Sequence, residues 1–257
     1  METSLHQQLK SHYANSPGQI EVKIGAYRID VVRDHELIEI QCASLSAIRN
    51  KIIDLMRRHE VRVVKPAIRR IRICKRHAKN GPVVSRRLSP KVGAVHDVFE
   101  ELIYLRGLFP NPRLTIEIPL IDVNQYRWMR KRKSRRRRDP GYVIENTELI
   151  DIRSTVELNA PSDLWRLLPK AASGQSFERT VGCSGTFNTN DLAVAVGCPR
   201  WIAQRIAYVM RHGQTIEAVE RDKSGIRYRV LSEQPKRAVV SSLSKSNQDE
   251  RSFSQVA

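Results

Sequence analysis

The spacing of apolar positions changes period several times along the chain. Leu5, Leu9 and Tyr13 recur at helical spacing and predict a short amphipathic helix over 4–14, ended by Pro17-Gly18. Ile20-Glu21-Val22-Lys23-Ile24 alternates strictly and predicts a strand. The stretch 27–41, YRIDVVRDHELIEIQ, holds two runs rich in β-branched residues, 29–32 and 37–41. Arg33-Asp34-His35-Glu36 separates them as a hairpin turn would. From Ser44, a candidate N-cap, the positions Leu45, Ile48, Ile52, Leu55 and Met56 predict a second helix. Val61-Arg62-Val63-Val64 predicts a fourth strand closed by Pro66, and 68–73 alternates Ile with Arg as an edge strand does. The predicted order is helix, three strands, helix, strand.

Beyond this block the pattern is looser. Residues 75–90 are polar and basic with Gly-Pro and Ser-Pro turns, which predicts a linker or long surface loop. Val95, Val98, Phe99, Leu102, Ile103 and Leu105 predict a helix ending near Gly107, with Glu100 and Glu101 on its solvent face. Residues 114–118 alternate like a strand, 149–158 read as one strand or two, 163–168 as a short helix, and 171–185 as a loop. The C-terminal part is sharper. Leu192-Ala193-Val194-Ala195-Val196 predicts a short helix stopped at Gly197, and Ile202, Ile206, Val209 and Met210 form the buried stripe of a second. The runs 216–219 and 226–230, with a turn at 222–225, predict a hairpin. Helix, tight turn, helix and hairpin make a winged helix-turn-helix pattern. From 233 onward the chain is too poor in large apolar residues to bury a core.

Charge adds a partner to this picture. The 257 residues carry 45 Lys plus Arg against 27 Asp plus Glu, a formal net charge of +18. Such an excess points to a polyanion, most simply nucleic acid. Arg130, Lys131, Arg132, Lys133, Arg135, Arg136, Arg137 and Arg138 form the densest run, preceded by Tyr126 and Trp128, which could stack on bases. In the predicted winged helix, Arg200 and Gln204 are placed to read DNA, with Arg227 and Arg229 as wing contacts. A winged helix serving protein contacts is the alternative. Cys42, Cys74, Cys183 and Cys198 show no paired spacing, and the histidines form no metal motif. No apolar run approaches the length of a membrane span, and the N-terminus lacks a signal peptide's apolar core. A cytoplasmic protein is expected, with no membrane partner and no small-molecule substrate.

Candidate chemistry lies in the central hairpin. Asp30 and Glu39 interrupt its apolar runs, and a carboxylate inside a sheet is costly unless paired. Glu39 and Gln41 share a strand face; with Asp30 beside them, two acids and an amide converge, and carboxylates suit Mg²⁺. The alternative is that Asp30 and Glu39 pair with Arg28 or Lys51 as structural ions. Asp30, the short turn, then Glu39-x-Gln41 resembles the PD-(D/E)XK, restriction-endonuclease-like nuclease superfamily, whose αβββαβ core has the same element order. Ile29 replaces the family's usual Pro and Gln41 its usual Lys. Lys51, on the next helix, or Lys65 could supply the missing ammonium; a solvated Lys51 is the competing reading. The resemblance covers about residues 1–75. It implies a Mg²⁺-dependent (or Mn²⁺-dependent) DNA endonuclease with Asp30 and Glu39 as metal ligands and Gln41 orienting water.

The fold expected is therefore α/β: a restriction-endonuclease-like core with a mixed sheet over 1–75, a basic extension over 76–148, a winged-helix-like domain over 149–232, and a disordered tail over 233–257. A homodimer is compatible with this organisation. A DNA-binding protein on a degenerate nuclease fold, and an RNA-binding protein, are the alternative functions.

Overall fold

The computed structural model describes residues 3–129, 141–169, 185–223 and 225–231. Helix α1 (Ser4–Tyr13) starts at Thr3, whose side chain accepts the His6 N–H, and carries Lys10 and His12 in its last turn, where cations favour the helix dipole. Strands β1 (Ile20–Ile24), β2 (Tyr27–Arg33) and β3 (Glu36–Ile40) form an antiparallel meander. Ser44 caps a single 3₁₀ turn over Leu45–Ala47, and helix α2 (Arg49–Leu55) follows. Strand β4 (Glu60–Val64) then pairs parallel to β3. The order helix, three strands, helix, strand is the one predicted.

The sheet does not stop there. β5 (Ala67–Arg76), β6 (Val83–Leu88), β7 (Leu114–Met129) and β8 (Tyr142–Leu158) extend it to eight strands among the described residues. β7 is long enough to pair in parallel with β4 at one end and β5 at the other. β4 and β5 thus run along it as one strand interrupted at Pro66, which has no N–H to donate. β8 covers the opposite edge of β7, antiparallel from Ile116 to Met129.

Several expectations change accordingly. Within 75–90 only 77–82 and 89–90 are loop: residues 83–88 form β6, an edge strand exposed along nearly its whole length, so it needs no apolar alternation. Residues 68–73 are not at an edge, since β5 is flanked by β6 and β7. The boundaries expected after 75 and 148 both fall inside strands, and 149–158 belongs to the large sheet rather than to a C-terminal unit. The expected 95–107 helix is a 3₁₀ turn, helix α3 (Phe99–Leu102) and a second 3₁₀ turn. Its approach is close: a Cβ on Gly93 would lie 2.1 Å from the Ile68 carbonyl oxygen.

Each face of the sheet buries its own core. On one, Leu5, Leu9 and Tyr13 of α1 pack on Val31, Ile38, Ile40, Val64, Ile121 and Val123. On the other, α2 and α3 pack with Leu164 and Trp165 of the 3₁₀ segment Pro161–Leu167. The C-terminal unit joins this second core. It comprises α4 (Thr189–Val196), α5 (Arg200–His212) and the hairpin of β9 (Ile216–Asp222) and β10 (Gly225–Val230). Asn188 accepts from the N–H groups of Asn190 and Asp191, and Asp191 reaches back to the Asn188 N–H. Gly197 ends α4 at φ +71°, the left-handed conformation a glycine tolerates. Ile202, Ile206, Val209 and Met210 then share one apolar cluster with Phe99, Leu102 and Leu105, so the two parts pack as one body. Among the described residues no helix is long and apolar enough to cross a membrane.

Candidate functional site

The site forms where strand pairing lapses. β1 pairs Ile20 with Val31 and Val22 with Ile29, skipping Glu21 and Asp30 between them. β2 and β3 pair Val31 with Ile38, but the next positions in register, Asp30 and Glu39, are not paired with each other; Glu39 pairs instead with Val63 of β4. Glu21 takes φ +57°, left-handed and costly for a residue with a Cβ. Such breaks in a ladder turn side chains away from their regular face. Here the Asp30 carboxylate turns inward: its Oδ2 accepts the backbone N–H of Ile40 at 2.9 Å.

Two side chains from α1 hold Asp30 from the other side. His6 Nε2 lies 3.2 Å from Oδ2 and Lys10 Nζ 3.3 Å from Oδ1. Lys10 also bridges to Glu21 Oε1 at 2.7 Å. Burial alone would raise the Asp30 carboxyl, but His6, the Ile40 N–H and Lys10 outweigh it and hold the group below its ordinary range. His6 and Lys10 lie four residues apart on one face of α1, a polar pair beside the apolar stripe, and that spacing is the signal by which the sequence could have pointed to them.

Glu39 is 3% exposed. Lys51 Nζ, from α2, lies 2.5 Å from its Oε1 and donates to the Arg28 carbonyl at 2.5 Å. The contact with Glu39 is close but poorly directed, and Oε1 accepts no well-formed hydrogen bond among the described residues. Burial pushes the Glu39 carboxyl above its ordinary range; Lys51 opposes this, and the charge of Asp30 adds to it. Lys51 is therefore no solvated helix residue but part of the site. Arg28 instead pairs with Glu21 at 3.1 Å.

Gln41 departs from expectation. Its Oε1 accepts the Ala43 N–H at 3.0 Å, which ties the amide oxygen to the local turn. Lys65 donates to the Ala43 carbonyl, and burial pushes its ammonium below the usual range. Of the residues read from the motif, the fold thus gathers Asp30, Glu39 and Lys51. Among the described residues no group of three or more His, Cys, Asp and Glu side chains is placed to hold a metal ion. Glu101 departs from the solvent face expected of it and accepts the Leu45 N–H at 2.8 Å, whereas Glu100 stays partly exposed and pairs with Arg205 at 3.1 Å.

The basic run Arg130–Arg138 lies outside the described residues, as do Cys183 and the tail. The strands on either side of the run are described. Arg127 lies over the Tyr142 ring at 4.3 Å and Arg76 over Tyr126 at 4.5 Å. Arg72, Lys75, Arg86 and Arg87 are exposed on the neighbouring β5–β6 ribbon. In the C-terminal unit Arg200 and Gln204 are exposed. The two expected wing contacts have partners inside the molecule: Arg227 bonds to Thr186 and Arg229 to Glu217.

A family model described as "Domain of unknown function (DUF8091)" matches residues 3–159, which span α1 through β8. An "Uncharacterized protein" of Treponema pallidum (strain Nichols) is 27% identical over 164 residues, covering 63% of this chain and 64% of its own length. The chain thus spans under two thirds of that relative. No solved structure matches.

Proposed function

We propose that this chain, which belongs to the DUF8091 family, is a Mg²⁺-dependent DNA endonuclease whose site is Asp30, Glu39 and Lys51. One observation carries the reading: an ammonium from the helix after β3 reaches a buried carboxylate beside a second carboxylate, where two strands part. That constellation is the one expected of a restriction-endonuclease-like core whose lysine has moved from the strand to the following helix. The C-terminal helix–turn–helix and hairpin fit a winged helix in the same scheme.

The donor set suits a hard divalent cation. Glu39 Oε1 is buried and lacks a well-formed hydrogen bond, and Asp30 offers a second carboxylate held ionised. Asp30 and Glu39 would hold the ion, which when bound supplies Lewis-acid activation of the phosphate and of water. Lys51 Nζ, released from Glu39, donates to a non-bridging phosphate oxygen. Lys10 and His6 fix Asp30 in place. The basic ribbon and the Arg-rich run hold the polyanion, by contacts that position without reading sequence.

A second reading, a DNA-binding protein without cleavage, has its own observation. Asp30 already has three partners, and Gln41 stands where the family's lysine would be. Supercoiled plasmid incubated with Mg²⁺, Mn²⁺ or chelator separates the two. The endonuclease nicks only with metal, and Glu39→Ala and Lys51→Met lose nicking while still retarding the plasmid. Retardation without nicking under every metal leaves the binding protein.

A further inference from the structure

Helix α5 was expected to offer Arg200 and Gln204 to a duplex groove. Its exposed flank is not free-standing. The 3₁₀ segment Ile103–Leu105 and α2 run alongside, and between them lies a groove of about 660 Å³.

The lining of the groove has a distinct chemistry. Arg49, Arg106 and Arg205 line it with Tyr104, Trp201 and Tyr208. Trp201 is 49% and Tyr104 39% exposed, so two large rings stand open to solvent on facing walls. Arg205 lies over the Trp201 ring at 5.0 Å and Arg106 over Tyr208 at 5.9 Å. Arg49 donates to the carbonyls of Tyr104 and Arg106, which fixes that wall. Glu100, paired with Arg205, is the one acid bound to these guanidiniums by a described ion pair.

We infer that this groove binds unpaired nucleotides of a single nucleic-acid strand. Flat rings stack on bases, and guanidiniums take the phosphates between them. A peptide ligand would want aliphatic depth, and Ile103 is the only aliphatic side chain in the lining. A paired duplex hides its base faces and cannot stack there. Gln204 opens into the same groove, and its amide both donates and accepts, as the edge of an unpaired base requires. The inference rests on the nucleic-acid part of the proposed function and not on cleavage.

The test is fluorescence anisotropy of the full chain with labelled oligothymidylate, an RNA strand of equal length and a blunt duplex of two complementary strands. Trp201→Ala and Tyr104→Ala should each weaken single-strand binding roughly tenfold, the scale of one lost stacked base, and leave duplex binding unchanged. Trp201→Phe should retain it, and circular dichroism melts check that each variant folds. The DNA and RNA strands reveal which sugar is preferred. Folded variants that bind single strands as the parent does, or lose duplex and single strand alike, overturn the groove. A parent that binds duplex alone also overturns it and leaves the endonuclease reading standing. A parent that binds no nucleic acid removes both.

Discussion

Lys51 reaches across from α2 to lie 2.5 Å from Glu39 Oε1, the innermost carboxylate of the sheet's parted strands. Burial raises the Glu39 carboxyl, and Lys51 is the main group that opposes this. Breaking a buried pair costs roughly 3–5 kcal/mol; with Lys51 partly exposed we expect Lys51→Met to destabilise by about 2–3 kcal/mol at neutral pH.

That loss should depend on pH. A carboxyl raised in the folded state weighs against folding as pH rises above its unfolded value near 4.5, because the folded protein must then give up a proton it favours. Without Lys51 the Glu39 carboxyl rises further. Denaturant melts should therefore show Lys51→Met closest to the parent near pH 5 and furthest from it near pH 8. Asp30 works the other way: it is lowered from 3.8, so its stabilisation holds above that value and fades as pH falls through the lower folded one. A Lys51→Met deficit that is flat from pH 5 to 8 would show that Glu39 does not titrate in that window.

Arg62 is the hub of a separate network. Its Nε lies 2.9 Å from Glu36, and its Nη1 lies 2.6 Å from Glu117 and 2.7 Å from Glu157. Tyr13 donates to Glu117 at 2.5 Å, and burial with that carboxylate drives its phenol far above the ordinary range. Arg62→Met leaves Glu117 buried beside two further acids, and we expect a loss of roughly 3–5 kcal/mol. Glu157→Gln, on the exposed rim, should cost under about 1 kcal/mol. Urea unfolding of the two variants checks this ordering; equal losses would mean the network acts as a unit.

The chain's local signals carried the first six elements because each is patterned over a few neighbouring residues. Leu5, Leu9 and Tyr13 mark α1, and Ser44 with Ile52 and Leu55 marks the turn into α2. What was not legible depends on distant partners. β6 alternates nothing because solvent bathes it, so Arg86 and Arg87 read as loop. Strand β7 runs on past Pro119 with its pairing to β8 adjusted by register shifts, which no local pattern foretells. Residues 149–158 pair with 116–123 across the Arg-rich stretch, so sequence distance placed them in the wrong unit. At the site, Asp30 and Glu39 were visible as misplaced acids, whereas His6 and Lys10 were hidden in a helix whose apolar stripe accounted for its pattern.

Gly197 tests the C-terminal unit. At φ +71° it has no atoms within 4 Å of where a Cβ would sit, so the penalty of Gly197→Ala is conformational alone. Left-handed backbone costs a residue with a Cβ roughly 1–2 kcal/mol. Because α5 shares the core of Phe99 and Leu102, this should lower the melting temperature of the whole molecule in one transition. Two separated transitions would mean that the unit melts alone.

Salt dependence distinguishes the basic ribbon from the aromatic groove. Arg86 and Arg87 are exposed on β6, and no ion pair links either to an acid among the described residues. If both meet phosphate, Arg86→Ala/Arg87→Ala removes two released counterions and should flatten the slope of log Kd against log salt by roughly 1.8 for duplex DNA. Trp201→Ala removes stacking and no charge, so it should shift single-strand binding at every salt concentration and leave its slope intact. Anisotropy titrations over a salt series measure both. If the double variant leaves the duplex slope unchanged, the phosphates are held elsewhere, and the exposed arginines of β6 serve only to keep an edge strand from pairing with another chain.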